Sequence, residues 1–226
     1  MTNGRALLFD FGGTLDDDGI HWPLRFHIAY QAAGGSLGRR EFEALFNTTD
    51  KDLSALPGIA SMGLKAAIAA QTALLVERLP DGARIDVVKI IGKLYADALA
   101  TATRNKPMLE RLKQRFKLGV VSNFTGNLEP CLREVGLLPL FDALADSALV
   151  GTEKPDPVIF NVALKDLGVA AADAWMIGDN PEADIRPATG LGMRTIWLAP
   201  LRRPLPQGLA PTHRVERLTE IEPYLG

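Results

Sequence analysis

A single aspartate, Asp10, separates an apolar run, Ala6-Leu7-Leu8-Phe9, from a glycine-rich turn, Phe11-Gly12-Gly13-Thr14-Leu15. A short apolar run bounded by glycines reads as a core strand of a parallel sheet, and open parallel sheets bind ligands beyond the carboxyl ends of their strands. Asp10 is therefore expected at the mouth of a sheet. Three further segments follow in order: Val120-Val121-Ser122-Asn123, then Gly151-Thr152-Glu153-Lys154-Pro155-Asp156-Pro157, then Ile177-Gly178-Asp179-Asn180-Pro181-Glu182-Ala183-Asp184.

Strand-like runs recur at Ala6–Phe9, Leu118–Val121, Ala143–Ala145, Ala174–Ile177 and Met193–Leu198. Helical patterns at Met108–Phe116, Leu128–Val135, Pro157–Leu167 and Pro181–Leu191 alternate with them, several opened by proline or a polar cap and closed by glycine. That alternation predicts an α/β fold with a right-handed, doubly wound, mostly parallel sheet. From about Gly19 to Arg104 the rhythm breaks into Ala- and Leu-rich helical spacing, punctuated by Gly34-Gly35, Leu56-Pro57-Gly58 and Leu79-Pro80-Asp81-Gly82. This predicts a helical cap over 19–104 inserted into a core of 1–18 and 105–226, with connections near Asp16–Ile20 and Thr101–Pro107. Within it, Ala55–Val76 reads as a buried helix, too interrupted by Pro57, Gly58, Gly63, Lys65 and Gln71 to span a membrane. A proline-bearing tail, Ala199–Thr212, leads to His213-Arg214-Val215 and a last helix near Leu218–Leu225.

The net charge of -2, with 47% hydrophobic and 23% charged residues, argues against nucleic acid or an anionic membrane as the main partner. Cys131 is the only cysteine, so no intrachain disulfide forms. The start, Met1-Thr2-Asn3-Gly4-Arg5, runs into a strand rather than a signal peptide, and a reducing, cytoplasmic setting is expected. Nothing in the sequence separates a monomer from a homodimer.

In order and spacing, Phe9-Asp10-Phe11-Gly12-Gly13-Thr14-Leu15, Ser122-Asn123, Lys154-Pro155-Asp156-Pro157 and Gly178-Asp179 with Asp184 resemble the motifs of the haloacid dehalogenase superfamily, whose members are mostly phosphatases. The resemblance implies a Rossmann-like core with an inserted α-helical cap, and hydrolysis of a small phosphorylated metabolite. It assigns Asp10 as the nucleophile that takes the phosphoryl group, splitting one displacement into two. It assigns Mg²⁺ to Asp10, Asp179 and the Gly12 carbonyl, with Asp184 supporting the ion or its water. Ser122 and Lys154 grip the transferred group, while Thr14, Asn123 and His21 are further candidates for substrate contact. Closure of the cap is expected to exclude water and to set specificity through residues around His21–Arg25.

Gly12 departs from the pattern, because most such phosphatases carry a second aspartate there that protonates the leaving group and later activates water. Its loss removes an effect of about 10²–10⁴ in rate. A good leaving group, a proton from Asp16, Asp17, Asp18 or His21, or a non-catalytic phosphate- or protein-binding module are the open explanations. Restoring the acid as Gly12→Asp is expected to raise turnover of substrates with poor leaving groups, and no gain would mean that another residue already serves. Cleavage of carbon-halogen or carbon-phosphorus bonds also stays open, although Asp179 and Asp184 speak against the former. The latter would call on a cap lysine, and Lys51, Lys65, Lys89 and Lys93 all read as solvent-facing. His27 and His213 read as packing residues.

Overall fold

The apolar runs form strands, and each strand lies parallel to its neighbour. The computed structural model describes residues 4–226; Met1, Thr2 and Asn3, part of the start read above as leading into the first strand, lie outside these. In chain order the elements are β1 (Ala6–Phe9), α1 (Trp22–Ala32), α2 (Arg39–Ser54), α3 (Leu64–Val76), α4 (Val87–Lys113), β2 (Lys117–Ser122), α5 (Leu128–Glu134) and β3 (Ala143–Asp146). They continue with α6 (Ser147–Val150), α7 (Pro157–Leu167), β4 (Ala174–Gly178), α8 (Arg186–Gly190), β5 (Arg194–Leu198) and β6 (His213–Val215).

The sheet order is β3-β2-β1-β4-β5-β6, so the chain winds outward from β1 in one direction and then, from β4, in the other. Phe9 pairs in register with Val120 of β2 and Ile177 of β4. The crevice where the winding reverses therefore opens just beyond Phe9, and Asp10 is the next residue. Alternate strand residues face opposite layers. Leu7, Phe9, Leu118, Val120, Trp175 and Ile177 pack with α4 and α5, and the same apolar cluster continues into α1 to α3. Ala6, Leu8, Val121, Ala174 and Met176 pack on α7 and α8.

Local chemistry explains the helix ends. Asp156 caps α7 by accepting from Val158 N, Pro157 occupies the first turn, and Gly168 closes the helix at φ 63°. The expected connection at Thr101–Pro107 does not exist as a break, because α4 runs unbroken through Pro107. Its buried stripe, Ile90, Leu94, Ala98, Ala102, Asn105, Met108, Leu109 and Leu112, is continuous across the proline. A proline inside a helix costs about 3 kcal/mol. Burying each large apolar side chain returns about 1.5–3 kcal/mol, so the stripe outweighs the proline.

Other boundaries also shift. Only the second half of Ala55–Val76 is a long helix: Pro57 and Gly58, the latter at φ 84°, hold a loop with one turn at Ile59–Ser61 before α3 begins at Leu64. The pattern at Pro181–Leu191 divides into a wide turn over Pro181–Ile185 and the short α8. The expected last helix is two single turns, Leu218–Glu220 and Glu222–Tyr224, and His213–Val215 adds a sixth strand beside β5. Among the described residues no helix is long and apolar enough to cross a membrane.

Candidate active site

Three carboxylates, Asp10, Asp179 and Asp184, converge at the carboxyl ends of β1 and β4, with oxygens within 4.8 Å of one another. Asp10 is seated by Asp10 N donating to Ile177 O at 2.9 Å. After it the chain makes one wide turn, closed by Asp16 N on Phe11 O at 3.4 Å and by Gly19 N on Gly13 O at 2.8 Å. Gly13 is required twice here. Its φ is 91°, and a Cβ would lie 2.9 Å from the Asp179 carboxyl carbon.

Lys154 enters from the loop before α7. Its Nζ donates to Asp10 Oδ1 at 2.7 Å and to Asp184 Oδ1 at 2.6 Å, with all three side chains buried. Ser122, at the end of β2, donates its hydroxyl to Asp10 Oδ1 at 3.0 Å. Asn123 accepts from Lys154 N at 2.7 Å and donates to Lys154 O at 2.9 Å. Asn123 therefore positions the Lys154 backbone, and it also lines the cavity.

Charge is unbalanced in this cluster. Burial raises the Asp179 pKa well above the carboxylate range, reinforced by Asp10 and Asp184. Burial also pushes Asp184 up to about 6 against the pull of Lys154. For Lys154, burial opposes the charge, but the two carboxylates outweigh it and hold the ammonium above its usual pKa. One ammonium among three carboxylates leaves an oxygen-rich, net-negative pocket, the donor set that suits a hard divalent cation.

The other expected site residues divide. His21 lines the cavity above Asp10, 3.9 Å from Glu43 Oε1, and burial lowers its pKa. Thr14 is fully buried, outside the cavity wall, with Oγ1 unpartnered, so it offers no substrate contact in this arrangement. The acidic loop is ion-paired rather than freely solvated. Arg25 donates from NH1 to Asp16 Oδ2 at 2.8 Å and lies 3.2 Å through Nε from Asp17 Oδ2, while Arg104 holds Asp18 at 2.8 Å. None of these three aspartates lines the cavity. Lys51, Lys65, Lys89 and Lys93 are exposed and line no part of it, which removes the Schiff-base candidates. His27 is buried against Leu37 O, and His213 stacks between Trp175 and Tyr224.

Two features were not anticipated. Asp146, at the end of β3, accepts from Gly126, Ala148 and Leu128 N and so fixes the loop that follows Ser122. Its position, a strand-end aspartate followed by serine, is the only trace of this in the sequence. The second feature is how Trp22 packs against Gly12. A Cβ built on Gly12 would lie 2.8 Å from Trp22 Cδ1 and 3.0 Å from Nε1, so the indole edge occupies the space an acid at position 12 needs. This packing speaks against the expectation that Gly12→Asp raises turnover. The variant is expected to lose about 1–3 kcal/mol by overpacking, with no gain in rate, and denaturation alongside phosphate release checks both.

Arg25 supplies another prediction. Arg25→Met leaves Asp16, fully buried, without its partner, which costs about 3–5 kcal/mol. The Asp16 pKa is already raised by burial, with Arg25 opposing; without the guanidinium it rises further. A carboxyl whose folded pKa lies above its unfolded one penalises the fold as pH rises through the folded value and costs nothing below the unfolded one. The loss is therefore expected to be larger at pH 8 than at pH 5, as read by urea unfolding at both.

The carboxylates and Lys154 form the floor of a cavity of about 590 Å³. Trp22, Phe26, Phe46, Leu64 and Ile68 supply apolar wall from α1, α2 and α3, so the helices between β1 and β2 face the cluster across the space a substrate would fill. The chain is similar to pyrimidine 5'-nucleotidase YjjG of Escherichia coli (strain K12), 35% identical over 120 residues, covering 52% of this chain and 53% of that protein. The chain spans about half the length of the curated relatives it matches. Among solved structures, the HAD-hydrolase YfnB of Bacillus subtilis, bound to magnesium, superposes with a TM-score of 0.60 at 23% identity over 98% of each chain. The 2-haloacid dehalogenase of Pseudomonas syringae pv. Tomato DC3000 does so with a TM-score of 0.57 at 23% identity, over 100% of this chain and 98% of the other. At such identities the structural likeness shows the fold alone. The pattern of the haloacid dehalogenase-like hydrolases matches residues 5–192, and with the motifs converging at the strand ends, the chain belongs to that family.

Proposed function

We propose that the protein is a Mg²⁺-dependent phosphatase acting on a small phosphorylated metabolite through an aspartyl-phosphate on Asp10. The observation that carries this reading is the buried trio Asp10, Asp179 and Asp184, with Lys154 the one cation paired to it among the described residues. A site that binds a halide or a haloacid has no use for surplus carboxylates. Asp10, Asp179 and the Gly12 carbonyl would hold the ion, with Asp184 in support. When bound, Mg²⁺ neutralises the surplus charge and binds phosphoryl oxygen.

The remaining work falls to the chain's own side chains. Asp10 presents a carboxylate oxygen to phosphorus, and the bond to the departing alcohol oxygen breaks as the aspartyl bond forms. Ser122 and Lys154, both in contact with Asp10, are placed to donate to the equatorial oxygens as negative charge gathers there. Hydrolysis of the aspartyl-phosphate returns Asp10. The apolar wall from α1 to α3 accepts the organic part of the substrate and sheds water from it.

Phosphate release from acetyl phosphate, p-nitrophenyl phosphate and a panel of sugar phosphates, with and without Mg²⁺, tests the proposal. Release that requires Mg²⁺ is the expected result. Halide release from 2-haloacids without any metal would replace it by dehalogenation, and silence towards both would favour a binding module.

A further inference from the structure

We propose that the indole N–H of Trp22 is the group that meets the leaving oxygen, which makes this a site for phosphate esters and anhydrides whose departing oxygen is a weak base: phenols, enols and carboxylates. The proposal rests on the phosphatase reading and specifies its substrate class. Gly12 lies two residues beyond the nucleophile, and Asp10, Gly12 and Trp22 all line the cavity. The indole edge reaches to 3.0 Å, through Nε1, of where a Gly12 Cβ would stand. A group reaching the position-12 side of Asp10 therefore meets the indole edge.

The ring is held there by a closed circuit of contacts. Arg25 stacks over its face at 4.0 Å, Asp16 and Asp17 clamp Arg25, and Asp16 Oδ1 accepts from Gly13 N at 2.7 Å, beside Gly12 itself. Swinging the indole away means giving up its stacking on a buried ion pair. The N–H is also uncommitted. Trp197 donates its own to Asp179 O at 3.0 Å, whereas none of the described residues accepts from Trp22. A guanidinium over the ring draws electron density from it and strengthens the N–H as a donor.

An indole N–H donates a hydrogen bond but does not give up its proton near neutral pH. In the first step the aspartyl oxygen to phosphorus bond forms, the phosphorus to leaving-oxygen bond breaks, and the bonding pair departs on that oxygen. The oxygen leaves as its anion, held by Trp22 N–H, and takes its proton from solvent water afterwards. A fixed donor aimed at such a charge is worth about 10²–10³ in rate, and a weakly basic oxygen needs no more. A strongly basic alkoxide does.

The test is turnover of acetyl phosphate and a graded series of aryl phosphates by the wild type and Trp22→Phe, which keeps a ring between Gly12 and Arg25 but removes the donor. The expected result is a steep fall of kcat with leaving-group basicity in the wild type. In Trp22→Phe that fall should steepen, with a loss of about tenfold for acetyl phosphate growing to about 100-fold for phenyl phosphate, and KM little changed. An undiminished kcat, or an equal loss across the series, would overturn the role of Trp22. So would a basic limb in the wild-type pH–rate profile that disappears in His21→Gln, since His21 would then be the acid. No turnover of any member by the wild type would remove the phosphatase reading and this inference together.

Discussion

Lys154→Met is expected to destabilise the metal-free protein by about 3–5 kcal/mol, the cost of removing one partner from a buried ion pair. Lys154 is in contact with Asp10 and Asp184, and its loss leaves both with no cation in contact among the described residues. Methionine matches the lysine stem in length, so the cavity term is small and the effect reads charge rather than packing. Saturating Mg²⁺ should return part of the loss, because the cation supplies charge that the lysine no longer does. Urea unfolding of wild type and variant, with and without Mg²⁺, measures both. A variant as stable as the wild type without metal would mean that the carboxylates are already protonated and that the cluster is not a cation site.

Asp10→Asn should separate catalysis from stability. Turnover is expected to fall by about 10³-fold or more, roughly 4 kcal/mol of barrier, because the amide is a poor nucleophile at phosphorus. Stability should not fall with it. Three carboxylates against one ammonium leave a surplus, and neutralising Asp10 lowers that surplus while Lys154 keeps its bond to Asp184. Residual activity near the wild-type level would assign the nucleophile elsewhere, with Asp179 the next candidate. A folding defect without a rate effect would make Asp10 structural.

The parts of this site legible from sequence are those fixed by secondary structure. Asp10, Ser122 and Asp179 each close an apolar run, and the parallel pairing of β1 with β2 and β4 brings those run ends side by side. Lys154 and Asp184 came from spacing within the family motifs. What escaped was set by the packing of loops on helices, where no periodicity operates. The indole of Trp22 against Gly12, and the burial of Asp16 under Arg25, depend on how a wide turn folds back on α1. An acidic stretch such as Asp16-Asp17-Asp18 reads as solvated until its partners are known. Pro107 misled for the opposite reason: a strong local breaker was overridden by a buried stripe that continued on both sides of it. At the far edge of the sheet, β6 is only three residues long, too short to show alternation.

The most direct test of the account is to quench the protein during turnover of acetyl phosphate in Mg²⁺ and weigh it intact. A gain of one phosphoryl group in the wild type, lost on removing Mg²⁺ and absent from Asp10→Asn, is the predicted result. Steady turnover with an unmodified protein, or a phosphoryl group retained by Asp10→Asn, would contradict it.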